Sequence, residues 1–248
     1  MSTTAQDALI FLTGVLAGFM NTLGGGGSSL IYPLLIFLGL SPHQAVGSAR
    51  LSFLAQGFFG AYGYRKRGHF LMPFGLYAGL AAMAGAFAGA AAGLAVPPLA
   101  FKRIIALVIA LVSLAVLFGL RFEGSGDRPA KGTSLNVLLF FFLGMYSGFI
   151  QTGLGFLILA VLAGLNRLNI HRANSVKAMV ILLSGIPSLL MYAAAGQVVW
   201  PAALWLAAGM GTGAFLTAYF SVRWPERLVK YIIAALVLVM AVRLWVSS

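Results

Sequence analysis

The chain has 248 residues, 61% of them hydrophobic and only 8% charged, and its 16 Lys and Arg against 4 Asp and Glu give a formal charge of +12. A water-soluble domain carries about a quarter charged residues, and so few charges cannot present this much apolar surface to water. The bases lie in short clusters between apolar segments with no basic stripe, which argues for membrane-protein loops and against nucleic acid as a partner.

Long continuous apolar runs, such as Leu135 to Gly148 and Ile232 to Val242, favour helices over the short alternating strands of a membrane barrel. Met1 to Asp7 lacks the basic start of a cleavable signal, so the first apolar segment is expected in the mature protein. A first apolar piece at about 8–23 meets a glycine-rich break, and a second piece of about 13 residues runs to Gly39. Fuller helices follow at about 45–64, 70–95 and 99–119. Arg121 to Thr133, rich in Gly, Ser, Pro and charge, reads as a linker. Beyond it the pattern returns at about 135–151, 156–165, 174–194, 199–220 and 226–246.

The return is a duplication. At an offset of 128 residues His43 falls on His171, Tyr64 on Tyr192, Gly68 on Gly196, Pro73 on Pro201, Pro97 on Pro225 and Lys102 on Lys230. Upstream the offset becomes 130, with Gly14, Gly18, Asn21 and Thr22 over Gly144, Gly148, Gln151 and Thr152. The slip falls in the run Gly24 to Gly27. Spanning a bilayer takes about 20 helical residues, and the pieces beside each break are mostly shorter. Each pair is therefore expected to enter the membrane and return as a hairpin.

Charge placement supports that topology. With returning hairpins each half crosses three times, and one side of the membrane collects Arg65, Lys66, Arg67, Arg121, Arg128, Lys131, Arg167, Arg172, Arg223 and Arg227. The positive-inside rule puts that side in the cytoplasm and both termini outside. The expectation is an all-α polytopic membrane protein of the inner membrane. It is built as two inverted repeats, each a broken re-entrant-like hairpin plus three transmembrane helices. Residues 1–120 form the first repeat, 121–133 a cytoplasmic linker and 134–248 the second, in one integral membrane unit.

Inverted repeats with broken helices are a design of secondary transporters, whose solute sits where the halves meet. The unpaired backbone groups at a break are intolerable against lipid but useful when they line a cavity. The tips, Thr22 to Ser29 and Thr152 to Phe156, each precede a new half-helix whose positive end would favour an anion. Gly25, Gly26 and Gly27, matched by Gly153 and Gly155, would let backbone approach the solute or act as a hinge, and Ser28 or Ser29 could cap the half-helix. The spaced Gly79, Gly85, Gly89 and Gly93 read instead as helix packing.

Arg50 and Lys177 lie inside the first long helix of each half with no acid near in sequence. Such cations either receive an anion or snorkel to headgroups. Asn21 with Thr22, and Gln151 with Thr152, either bind solute oxygens or tie the tips together. Ser48, Ser52 and Gln56 near Arg50, and Ser175 near Lys177, are weaker members of this set. His43 and His171 are expected as solvated loop residues, and His69 as an isolated one.

Asp7, Glu123, Asp127 and Glu226, the only carboxylates, lie at segment ends or in the linker, which argues against a cation substrate. The chain has no cysteine for thiolate metal sites, no clustered catalytic residues and no nucleotide-binding loop, so neither a cofactor, a metal nor an enzymatic activity is expected.

These residues resemble the sulfite exporter TauE/SafE family over essentially the whole chain. The signature runs through Gly24-Gly-Gly-Gly-Ser28-Ser-Leu-Ile-Tyr32-Pro33, then Ala45-Val-Gly47-Ser48, then Tyr64 and Gly68 before a helix opening at Pro73. Arg50 stands where the family more commonly has an apolar or hydroxyl residue, and Leu154 interrupts the second glycine run. The resemblance implies a polytopic inner-membrane permease for sulfite, sulfonates or related organic acids. An anion channel using the same glycine-lined constriction is the alternative. The lipid bilayer and a small anion are the expected partners, and a homodimer is compatible with both.

Overall fold

The computed structural model describes residues 3–23, 26–117, 124–129 and 132–220. Gly24 and Gly25, residues 118–123, 130–131 and 221–248, and with them the expected helix 226–246, lie outside the described residues. Within them the chain forms α1 (Thr3–Leu23), α2 (Ser28–Phe37), α3 (Pro42–Lys66), α4 (Phe74–Ala95) and α5 (Pro98–Leu117). After the linker come α6 (Thr133–Phe149), α7 (Leu154–Leu159), α8 (Ile170–Ala194) and α9 (Trp200–Phe220). A π-helical turn over Ala160–Leu165, which the sequence did not announce, continues α7. α1 begins at Thr3, five residues before the expected start.

Residues that match across the duplication have matching structural tasks. α3 opens on a capping box, in which the Gln44 backbone N–H donates to Ser41 Oγ (3.2 Å) and the Ser41 N–H to Gln44 Oε1 (3.1 Å). α8 opens at the equivalent position on Asn169, whose side chain accepts from the Arg172 N–H at 3.0 Å. Both helices end on a left-handed glycine, Gly68 (φ +73°) and Gly196 (φ +68°), where a side chain would be strained. The match of these glycines thus records two identical helix stops.

Small residues set how the helices cross. A Cβ on Gly18 would lie 2.2 Å from the Met210 carbonyl oxygen, and one on Gly213 2.1 Å from that of Val15, so α1 and α9 touch backbone to backbone. α4 and α6 meet in the same way: a Cβ on Gly89 would lie 1.9 Å from the Met145 oxygen, and one on Gly148 2.2 Å from that of Ala86. Gly85 and Gly89 therefore serve the packing role expected of them. Between α3 and α8, Gly57 faces Leu182 and Gly185 faces Leu54. Both of those pairs are related by the 128-residue offset.

The order of these contacts fixes helix directions. α1, α3 and α9 run one way, and α4, α6 and α8 run the other. Because α1 and α3 share a direction, α2 must bring the chain back towards the end from which α1 set out. α7 and the π-helical turn do the same between α6 and α8. The first helix of each half packs on the fourth α-helix of the other: α1 on α9, and α6 on α4.

The outer faces are apolar. Leu12, Phe58, Phe87, Leu111, Phe142, Leu190 and Leu204 are all exposed, while the buried set includes Arg50, Lys177, Asn21, Gln56 and Gln151. α4, α8 and α9 are long and apolar enough to cross a membrane. α3 is as long as α8, but its first half carries Ser48, Arg50, Ser52 and Gln56, all buried.

The histidine expectations need correction. His43 is not a solvated loop residue. It lies in the first turn of α3, 8% exposed, with Nε2 3.2 Å from the Gly93 oxygen and its ring stacked on Phe101. His69 is not isolated, because its ring stacks on His171 in the first turn of α8 at 4.9 Å. Sequence spacing could not bring a loop after α3 onto the start of α8.

The crossings define a stability test. Gly89→Leu should cost at least the roughly 1–3 kcal/mol typical of overpacking and sharply lower the yield of monodisperse protein in detergent. Gly132→Ala, where an added Cβ meets nothing within 4 Å, should leave both yield and melting temperature unchanged.

Candidate functional site at the broken-helix tips

The breaks bring the polar residues of both halves to the middle of the bundle. α1 ends in Asn21 and Thr22, and α6 ends at Phe149 just before Gln151 and Thr152. All four are at most 4% exposed. A helix that stops inside protein leaves its last carbonyls without amide partners. Here each set of carbonyls receives a cation from the other half.

Arg50, fully buried, donates from Nη1 to the Ser147 oxygen (2.5 Å) and to Gln151 Oε1 (2.7 Å). Its Nη2 donates to the oxygens of Gly148 (2.6 Å) and Phe149 (3.3 Å), and its guanidinium lies 5.1 Å from the centre of the Tyr192 ring. Lys177, 2% exposed, donates from Nζ to the oxygens of Asn21 (2.9 Å) and Thr22 (3.1 Å). Neither cation snorkels. Both serve the purpose of a basic residue at a helix C-terminus, carried out in the interior between halves.

The two tips also touch each other. The Gly153 N–H donates to Ser28 Oγ at 3.3 Å, and the Tyr32 hydroxyl donates to the Ile150 carbonyl. Asn21 Nδ2 donates to Gln56 Oε1 at 2.7 Å, which ties the first tip to α3. Gln151 has a left-handed backbone (φ 62°), as does Gly153 (φ 73°), so the second break turns sharply within three residues. The Tyr146 hydroxyl steadies that turn by donating to the Thr152 carbonyl.

The remaining candidates divide. Gly26 is half-buried and accepts from the Ser29 N–H, and Gly155 is buried in the first turn of α7. A Cβ on Gly27 would lie 2.1 Å from the Ala17 oxygen, so this glycine lets the two limbs of its own hairpin close together. Neither Ser28 nor Ser29 caps α2, whose N-cap is Gly27 without a side-chain bond. Ser48 accepts from the Val199 N–H at 2.9 Å and so secures the start of α9, and Ser175 donates within α8 to the Arg172 oxygen. Gly25 lies outside the described residues.

Several buried polar atoms at the tips have no hydrogen-bond partner: Ser29 Oγ, Gln151 Nε2, Arg50 Nε and Asn21 Oδ1. Such atoms are costly in a closed interior and call for water or a ligand to complete them. Three of the four are donors. Arg50 and Lys177 bring two basic side chains to helix ends that carry only partial negative charge. No carboxylate lies among these residues. The arrangement can hold an anion.

Tyr32, Tyr146, Ser147 and Ser184 escaped the sequence reading. One signal was available: Ser184, whose Oγ lies 2.9 Å from that of Ser147, stands 128 residues after Gln56.

At the basic end of the bundle the linker docks on the loop before α8. The Gly126 N–H donates to the Arg167 oxygen at 2.8 Å, and Asp127 pairs with Arg172 Nε at 3.0 Å and accepts from Asn169. Beside this loop, burial first and then His171, Arg67 and Arg172 hold the His69 pKa below its usual value. A group held neutral in the folded state stabilises fully above its unfolded pKa of about 6.5, and that contribution is lost as pH falls through the lower folded value. The melting temperature should therefore fall as pH drops below about 6.5, and His69→Gln should flatten that fall in thermal scans.

Comparison with known sequences agrees with this reading of the bundle. The chain is 25% identical over 244 residues to the probable membrane transporter protein ORF9 of a Sinorhizobium species, covering 96% of this chain and 91% of that one. A probable membrane transporter protein of Haemophilus influenzae is 24% identical over 240 residues (96% and 93%), and one of Xylella fastidiosa 27% over 260 residues (98% of both). No solved structure matches. By class the chain is a membrane transporter. The profile of the sulfite exporter TauE/SafE family matches residues 10–244, and the chain belongs to that family.

Proposed function

We propose that this protein is a secondary transporter of small sulfur-containing oxyanions, such as sulfite or organosulfonates, working by alternating access across the inner membrane. The observation that carries the reading is the buried centre between the tips, where Arg50, Lys177 and several polar atoms without partners meet and no described residue brings a carboxylate. The oxyanion completes Ser29 Oγ, Gln151 Nε2 and Arg50 Nε, which the protein leaves open. The family description supplies sulfur oxyanions as the substrate class.

In this reading residues 1–120 and 134–248 are inverted repeats. The opposed directions of α1 and α6, of α3 and α8 and of α4 and α9 support that assignment. Arg65, Lys66, Arg67, Arg167 and Arg172 gather at the end where α3 finishes and α8 begins, which supports assigning that end to the cytoplasm and both termini to the outside. A carrier fits better than a channel, since Thr152 is fully buried and Gln151 only 2% exposed.

The test is sulfite flux into proteoliposomes, with taurine, sulfoacetate and sulfate as competitors. Saturable flux is expected. Ser29→Ala and Gln151→Ala should each raise KM about tenfold, the scale of one hydrogen bond to a charged group. Absence of flux for every anion tried would overturn the reading.

A further inference from the structure

Arg50 and Lys177 stand on opposite sides of one landmark. α3 and α8 cross antiparallel where Gly57 meets Leu182 and Gly185 meets Leu54, and Gln56 and Ser184 sit at that crossing. Arg50 lies six residues from Gln56, about 9 Å along α3 towards the end at which that helix begins. Lys177 lies seven residues from Ser184, about 10 Å along α8 towards the basic end. Each cation holds the carbonyl end of a broken helix from the other half, α6 for Arg50 and α1 for Lys177.

We propose that these two cation–carbonyl clasps are the gates of the transporter: releasing Arg50 from α6 opens the centre to the outside, and releasing Lys177 from α1 opens it to the cytoplasm. The proposal rests on the transport reading of the same site and adds to it which residues close which side. The reasoning follows from three features. The clasps join the long crossing helices to the hairpins, so they bridge the parts that must separate for solute to pass. They lie above and below the layer of Gln56 and Ser184, so opening one leaves the other closed. Their acceptors are carbonyls and an amide rather than carboxylates, so an oxyanion reaching a cation forms the stronger charge-assisted bond and displaces the helix end. Solute arrival and gate release then become one event. Arg50 and Lys177 thus have two roles in this scheme: each holds a hairpin end while closed and meets the solute once released.

The native chain has no cysteine, so a single Ser184→Cys provides a clean probe between the clasps. It is labelled with a membrane-impermeant maleimide applied to right-side-out or inside-out vesicles. Adding Arg50→Gln should raise labelling from the outside about tenfold or more and leave the cytoplasmic rate unchanged, on the scale of losing a charge-assisted hydrogen bond. Lys177→Gln should do the reverse. If either glutamine variant fails to accumulate in membranes, Arg50→Lys or Lys177→Arg carries that arm, with a smaller rise on the same side. A merely structural role would loosen both sides together. Equal rises on both sides, reversed sides or no rise would overturn the proposal. Sided labelling without sulfite flux would keep the clasps and remove the transport reading, whereas sulfite flux with labelling that ignores the side would remove the clasps alone.

Discussion

Everything at the centre of this bundle depends on two cations set against the carbonyl ends of helices that stop short. An interrupted helix in an apolar interior exposes acceptors that neither lipid nor neighbouring helices can satisfy. A buried lysine or arginine has the complementary problem. Joining the two solves both, and because each cation comes from the other half, the solution also ties the halves together. What the arrangement leaves over is a set of buried polar atoms without partners beside two basic side chains. These are the atoms to which the proposed function assigns the solute.

The rest of the architecture serves to bring these ends together. Backbone-to-backbone contact of α1 with α9, and of α4 with α6, draws each interrupted helix against the opposite half. The π-helical turn after α7 distinguishes the second hairpin from the first, and turns of that kind recur at functional positions in helices. Arg50 with its four oxygen acceptors and Lys177 with two add a second asymmetry, so the halves are related but not interchangeable.

Much of this was legible in the sequence, for reasons that can be named. Helices α3, α4, α8 and α9 follow from apolar length alone, whereas the caps that start α3 and α8 three to four residues earlier, Ser41 and Asn169, went unread. The tips were legible because a glycine run and a Gly-x-Gly at matched positions interrupt otherwise helical segments. Arg50 and Lys177 stood out because an unpaired base in an apolar run demands an explanation. What they touch did not follow, since their acceptors are main-chain oxygens more than 95 positions away and carbonyls leave no mark in composition. The stacking of His69 on His171 and the burial of His43 against Gly93 were hidden for the same reason. Gly27 was read as an approach to solute, whereas it faces its own hairpin limb at Ala17, and a glycine alone does not say what comes close to it.

The exchange of helices between halves has a consequence for how the chain is made. α1 leaves the ribosome first, yet its packing surface is α9, almost two hundred residues later, and its carbonyl end waits for Lys177 in α8. Throughout that interval the carbonyls of Asn21 and Thr22 and the glycine edge of α1 lack their native partners on α8 and α9. Insertion must therefore hold an incomplete and partly polar hairpin, at the insertion machinery or at the membrane surface, until the second half arrives. The order of synthesis runs against the order of assembly, and α8 and α9, the last long helices among the described residues, are the ones that let the first settle.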